Sequence, residues 1–202
     1  MSSATFTRHQ LLLRGAIGAA AAGGVAAATP LVRSALAQSG RIDVEVVQFA
    51  LLLEQLEADY YRRALREVPD FSSSGRSLAR ELAANEAQHV EALTQLNGQL
   101  GSAAPIMPRF DFGEAFASES NFLALSQTLE DTGVAAYNGA GPLVEQTDIL
   151  VAAGQIVQIE ARHAALVRWE RGVDPVPSPF DNGRPMDQIQ RELTPFVVIE
   201  SL

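Results

Sequence analysis

Glu86 and His89 stand three residues apart in ANEAQHVEAL (84–93), and Glu160 and His163 repeat that spacing in QIEARHAALV (158–167). The chain has three histidines, and two of them sit in Glu-x-x-His. On a helix, residues i and i+3 share a face, so each pair offers a carboxylate and an imidazole to one point. That donor set suits a divalent iron or manganese ion. A single pair of this kind is ordinary on a solvated helix face. Two of them raise the question of what else lies nearby.

Upstream of the first pair, LEQLEADYY holds Glu54 and, seven residues on, Tyr61; upstream of the second, LEDTGVAAY holds Glu130 and Tyr137. The separation is 32 residues from Glu54 to Glu86 and 30 from Glu130 to Glu160. Each half thus supplies Leu-Glu-x6-Tyr and then Glu-x-x-His. The spacings aim these groups into an interior otherwise lined by Leu53, Leu82, Leu93, Val134, Ile156 and Val167. Four unpaired carboxylates buried together would cost several kcal/mol each. There is no lysine, and Arg62, Arg63, Arg80 and Arg162 fall on other faces. Two divalent cations would balance the four charges. Tyr61 and Tyr137 are either core aromatics or donors to ligand carboxylates across the bundle. Glu57, one turn from Glu54 where the repeat has Gly133, is either solvated or a spare carboxylate on the metal's access route. Asn85 and Asp131 could each orient a ligand histidine, and spacing does not place them. Trp169 is expected to pack rather than to relay electrons.

Helices must carry these groups. Apolar residues at helical spacing predict helices over about 43–67, 77–96, 119–138 and 148–171, with a short one near 187–193 in the proline-rich tail. No segment alternates with period two, so the class is all-α. The first and second helices, and the third and fourth, are joined by short links and form antiparallel hairpins. Between the hairpins lie roughly twenty residues that can reach roughly 66 Å, against roughly 33 Å for a 22-residue helix. One long crossover can therefore span the bundle.

The first 37 residues differ in kind. They hold no acidic residue, carry Arg8 and Arg14, run apolar and small, and close on Ala35-Leu36-Ala37 before Gln38. That predicts a secretory signal peptide over 1–37, cleaved between Ala37 and Gln38, and an exported, periplasmic-type location. TRHQLLLRG (7–15) resembles a twin-arginine signal with His9 where the second arginine usually stands; a Sec route and an uncleaved anchor are the alternatives. Contact with a membrane is otherwise not expected. The remaining chain carries 12 arginines against 24 acids, which disfavours nucleic acid. Cysteine is absent, which excludes disulfides and iron–sulfur ligation.

ALLLEQLEADYY, NEAQHVEAL, LEDTGVAAYNGA and IEARHAALVRW resemble the ferritin-like superfamily, in particular exported bacterial ferritin-like proteins related to desiccation-related proteins. The tail PFDNGRPMDQIQRELTPFV is similar to that subgroup as well. The resemblance implies a four-helix bundle over 38–171 with a tail over 172–202 packing on it. It implies a dinuclear metal site with Glu54, Glu86, His89, Glu130, Glu160 and His163 as ligands. Two ions are expected, iron first and manganese second, with oxygen or peroxide as the reaction partner. No methionine stands on the second helix where the haem ligand of bacterioferritin would be. A homo-oligomer is compatible with the sequence. Two functions stay open: a redox enzyme (a ferroxidase, or a dimanganese centre dismutating peroxide), and a structural or desiccation-protective protein stapled by its metals.

Overall fold

A computed structural model describes residues 30–103 and 105–198, with side chains from residue 40 onward. The predicted leader thus lies outside the described residues up to position 29, and Ala37 and Gln38 fall where only backbone is described. The chain divides between Arg41 and Ile42, and the bundle is the unit that starts at Ile42.

Four long helices make the bundle: α1 (Pro30–Glu67), α2 (Ser73–Gln99), α3 (Glu119–Ala140) and α4 (Thr147–Glu170). A short α5 (Met186–Leu193) follows, and two residues of the crossover, β1 (Arg109–Phe110), pair antiparallel with β2 (Val197–Val198). The all-α reading holds apart from this small ladder. Among the described residues no helix is long and apolar enough to cross a membrane.

Helix ends follow local chemistry. α1 stops before Pro69, and Asp70 makes the reversal at a φ of 46°, a left-handed conformation that aspartate tolerates. α2 begins at Ser73 rather than Ser77 because Ser72 caps it, its Oγ accepting the Gly75 N–H at 2.9 Å. The serine run that reads as loop is a cap and first turn. Ser118 caps α3 by accepting from the Asn121 N–H at 3.1 Å. The start of α4 is capped from outside: buried Asp43 accepts the N–H groups of Glu145 and Gln146 at 2.9 and 3.2 Å, placing a carboxylate where the helix dipole favours one.

Side-chain partners fix the helix directions. Tyr61 reaches Glu130 while Tyr137 reaches Glu54, so α1 and α3 run antiparallel. His89 meets Glu160 while His163 meets Asn85, so α2 and α4 do too. With short links inside each hairpin, α2 and α3 are parallel and the crossover traverses the bundle, as expected. All six residues expected to line the interior are buried. Trp169 is not packed: it is 71 % exposed. Two residues beyond buried Val167 is more than half a helical turn, which puts Trp169 on the outer face.

The tail from Gly183 is bound tightly to the bundle. The Arg184 N–H donates to the Ala135 carbonyl at 2.9 Å, and a Cβ on Gly139 would lie 1.9 Å from the Arg184 carbonyl oxygen. Ile189 and Leu193 are buried in the main core with Phe112, Phe116 and Phe122. Cutting Ile189 to alanine should destabilise the bundle by about 2–5 kcal/mol, the usual range for a fully buried isoleucine. Urea unfolding reads this directly; a change under about 0.5 kcal/mol, as for a surface site, would show that the tail is peripheral.

Candidate metal centre

The two halves of the repeat meet at the middle of the bundle. Glu54 from α1, Glu86 and His89 from α2 and Glu160 from α4 place one donor atom each within 4.8 Å of one another. Glu86, Glu130 from α3, Glu160 and His163 form a second group by the same measure. Glu86 and Glu160 belong to both groups, whereas Glu54 with His89, and Glu130 with His163, belong to one each. The two adjoining donor sets could hold metal ions, and Glu86 and Glu160 would be available to both. All six residues derived from the sequence are brought together here.

Both imidazoles turn Nδ1 toward the carboxylates. His89 Nδ1 lies 3.1 Å from Glu54, 3.0 Å from Glu86 and 3.1 Å from Glu160. His163 Nδ1 lies 2.8 Å from Glu86 Oε1 and 3.5 Å from Glu130. Even at 2.8 Å, His163 Nδ1 and Glu86 Oε1 make no hydrogen bond, and neither do buried Glu130 Oε2 and both Glu160 oxygens. Buried polar atoms normally find partners. His89 Nδ1 is hydrogen-bonded to Glu54 and Glu86, but the atoms left without a partner around His163 fit a common cation of the kind that carboxylate and imidazole hold.

The electrostatics show how much this arrangement needs positive charge. Burial, and then the neighbouring carboxylates, push Glu160 well above the ordinary carboxylate range. Burial likewise raises Glu130, and it leads the causes that lift Glu54 to about 8. Burial opposes protonation of the imidazoles, but Glu160, Glu54 and Glu86 outweigh it and push His89 up to about 12. Glu130 and Glu86 similarly take His163 to about 10. Burial would raise Glu86, yet the imidazoles of His163 and His89 beside it prevail and hold it at about 2. Protons and imidazolium charge thus do, without metal, what cations would do.

Around the ligands the repeat is completed and then broken. The Tyr137 hydroxyl donates to Glu54 Oε1 at 2.5 Å, and the Tyr61 hydroxyl donates to Glu130 Oε1. Burial, followed by the adjacent carboxylate, raises both phenols well above their usual range, so they stay donors. Asn85 breaks the symmetry: its amide lies 3.0 Å from His163 Nε2, and the equivalent position before Glu160 is Ile159. The atom in contact is the Asn85 amide nitrogen, so with Nδ1 turned to the carboxylates the amide engages the other ring nitrogen and fixes the orientation of the imidazole. Asp131 plays no such part and pairs with Arg168. His89 is 11 % exposed where His163 is 2 % and the four glutamates are 0 %, so the His89 side is the one open toward solvent.

Comparison with known proteins agrees with the fold. Protein rds1 of Schizosaccharomyces pombe is 26 % identical over 163 residues, covering 77 % of this chain. The chain spans 39 % of that protein's length. The crystal structure of a conserved hypothetical protein, rv2844, from Mycobacterium tuberculosis superposes with a TM-score of 0.60 at 18 % identity, covering 70 % of this chain and 99 % of that one; at that identity the likeness is one of fold. Residues 42–172 match the Ferritin-like domain, which leaves outside it residues 1–41 and the tail. With its bundle and its buried carboxylate–imidazole clusters, the chain belongs to the ferritin-like domain family.

Proposed function

We propose that this chain binds a carboxylate-bridged pair of iron ions and oxidises Fe(II) with oxygen or peroxide. The observation that carries the reading is the sharing of Glu86 and Glu160 between two donor groups, each completed by one terminal glutamate and one histidine. When bound, two Fe(II) ions supply the two electrons that reduce oxygen to hydrogen peroxide or hydrogen peroxide to water. The chain's own residues do the rest. Four carboxylates favour the higher iron charge, and the two imidazoles retain Fe(II). Tyr61 and Tyr137 hold Glu130 and Glu54 in orientation as the charge between them changes. Leu53, Leu82 and Leu93 exclude bulk water from the ligands, while the His89 side admits a small oxidant.

Stopped-flow absorbance in the near ultraviolet tests this, after anaerobic Fe(II)-protein is mixed with oxygen or with peroxide. Oxidation should outrun that of free Fe(II) in the same buffer, and His89→Ala should slow it at least tenfold while leaving the helical signal intact. Oxidation no faster than in buffer, at full occupancy, would sink the ferroxidase reading. Manganese with peroxide is then the assay for a dismutating centre, and inertness in both favours metals that only staple the bundle.

A further inference from the structure

The repeat fails at one inward-facing position, and the failure is reciprocal. Glu57 stands one turn after Glu54 on α1, and its counterpart one turn after Glu130 on α3 is Gly133. Glu57 is not solvated: it is 1 % exposed, and its Oε2 has no hydrogen-bond partner. A Cβ on Gly133 would lie 3.2 Å from Glu160 Oε2 and 3.4 Å from Glu57 Oε1. The carboxylates of Glu57 and Glu160 therefore flank one small space, and that space exists because α3 has no side chain there. Glu160 Oε2 is also unpartnered. Two buried carboxylate oxygens without a donor, one on Glu57 and one on Glu160, thus face the same gap at Gly133.

Resting on the reading of a bound metal pair, we propose that Glu57 is a seventh protein ligand to that pair, and that Gly133 is the clearance that lets its carboxylate reach the ions. A buried carboxylate is retained where it is paired or coordinates a cation, and none of the arginines is hydrogen-bonded or ion-paired to Glu57 among the described contacts. The seventh ligand makes the two halves of the site unequal. It also raises the donor set to five carboxylates and two imidazoles, which favours a pair whose total charge exceeds that of two divalent ions.

The test is anaerobic titration of the metal-free full chain with Co(II), followed by visible absorption, for the parent, Glu57→Gln and Gly133→Ala. Band intensity and position report coordination number, independently of any catalysis. The parent should take up two Co(II). Glu57→Gln, equal in size but a poor ligand, should weaken one of the two by at least tenfold and alter its spectrum. Gly133→Ala, which presses on the same carboxylates, should change the same spectral component. Circular dichroism confirms that the variants are folded. Two Co(II) bound by Glu57→Gln with parental affinity and spectrum would overturn the seventh ligand and leave the metal pair standing. Affinity lowered with the spectrum unchanged would also overturn it, since that is the effect of a nearby charge alone. A parent that binds no Co(II) would overturn both the ligand and the pair on which it rests.

Discussion

Loading the centre with two divalent ions should raise the unfolding midpoint by roughly 10–20 °C. Each ion present at about 100 times its dissociation constant adds about 2.7 kcal/mol to the folded state. In a domain of this size 1 kcal/mol moves the midpoint by about 2–4 °C. The size of the effect reflects what the ions replace, since Glu54, Glu130 and Glu160 are driven to hold protons without them. Metal-free stability and the stabilisation that ions provide should depend on pH with opposite signs. In the metal-free protein, Glu54 rises from 4.5 to about 8, so folding binds a proton and stability falls as pH climbs through that window. His89 and His163 rise from 6.5 to about 12 and about 10, and their contribution is complete below 6.5 and lost as pH climbs toward those values. Glu86 acts the other way, but only in acid, between 4.5 and about 2. Linkage then requires metal-free stability to decline from about pH 5 to about pH 9. Ions displace those protons, so the stabilisation they provide should grow over the same range. Thermal unfolding with and without chelator, across pH, measures both. Equal midpoints at verified occupancy would count against a buried pair, and a metal-free midpoint that climbs with pH would contradict the charge balance.

The six ligands should fall into three classes when removed singly. Glu86→Ala and Glu160→Ala take a donor from both groups, and each should abolish retention of both ions. Glu54→Ala and His89→Ala should lose one ion and keep the other; Glu130→Ala and His163→Ala should lose the complementary one. Losing even a supporting partner costs about 10–100-fold in metal affinity, so loss of a ligand should exceed about 100-fold at the affected ion. Metal analysis after gel filtration then gives near zero, one and one ion per chain. Equal loss from all six variants would mean that the donor groups do not divide as their distances indicate.

Much of this centre is written in the spacing of the residues. Helical periodicity places Glu54, Glu86, Glu130 and Glu160 inward without knowledge of any contact, while the duplicated tyrosines read as either core aromatics or donors until the structure pairs Tyr61 with Glu130 and Tyr137 with Glu54. What sequence does not reveal is relational. Glu57 reads equally as solvated or spare until Gly133 is seen opposite, because the space that receives its side chain belongs to another helix. Asn85 is one amide among several until α4 brings His163 to it. The ladder between β1 and β2 joins residues 89 apart in their first pair, Arg109 with Val198, and two-residue strands leave no alternation to detect. Trp169 shows the limit of inferring burial from size, since its angular position on α4 decides the matter.

The contact between Gly139 and Gly183 bears on how this chain can vary in length. There the tail crosses α3 with no side chain between the two backbones, since a Cβ on Gly183 would come within 2.6 Å of the Gly139 nitrogen. Such a crossing works as a register pin. Upstream of it, Val173, Val176 and Phe180 are exposed, so insertions and deletions between α4 and the pin can be absorbed as slack in a surface loop. Downstream, a single added residue before Ile189 would rotate α5 by about 100° and turn its two buried residues out of the core. Drift in length is therefore open on one side of Gly183 and closed on the other, and the boundary is set by the thickness of two peptide backbones rather than by any side-chain chemistry.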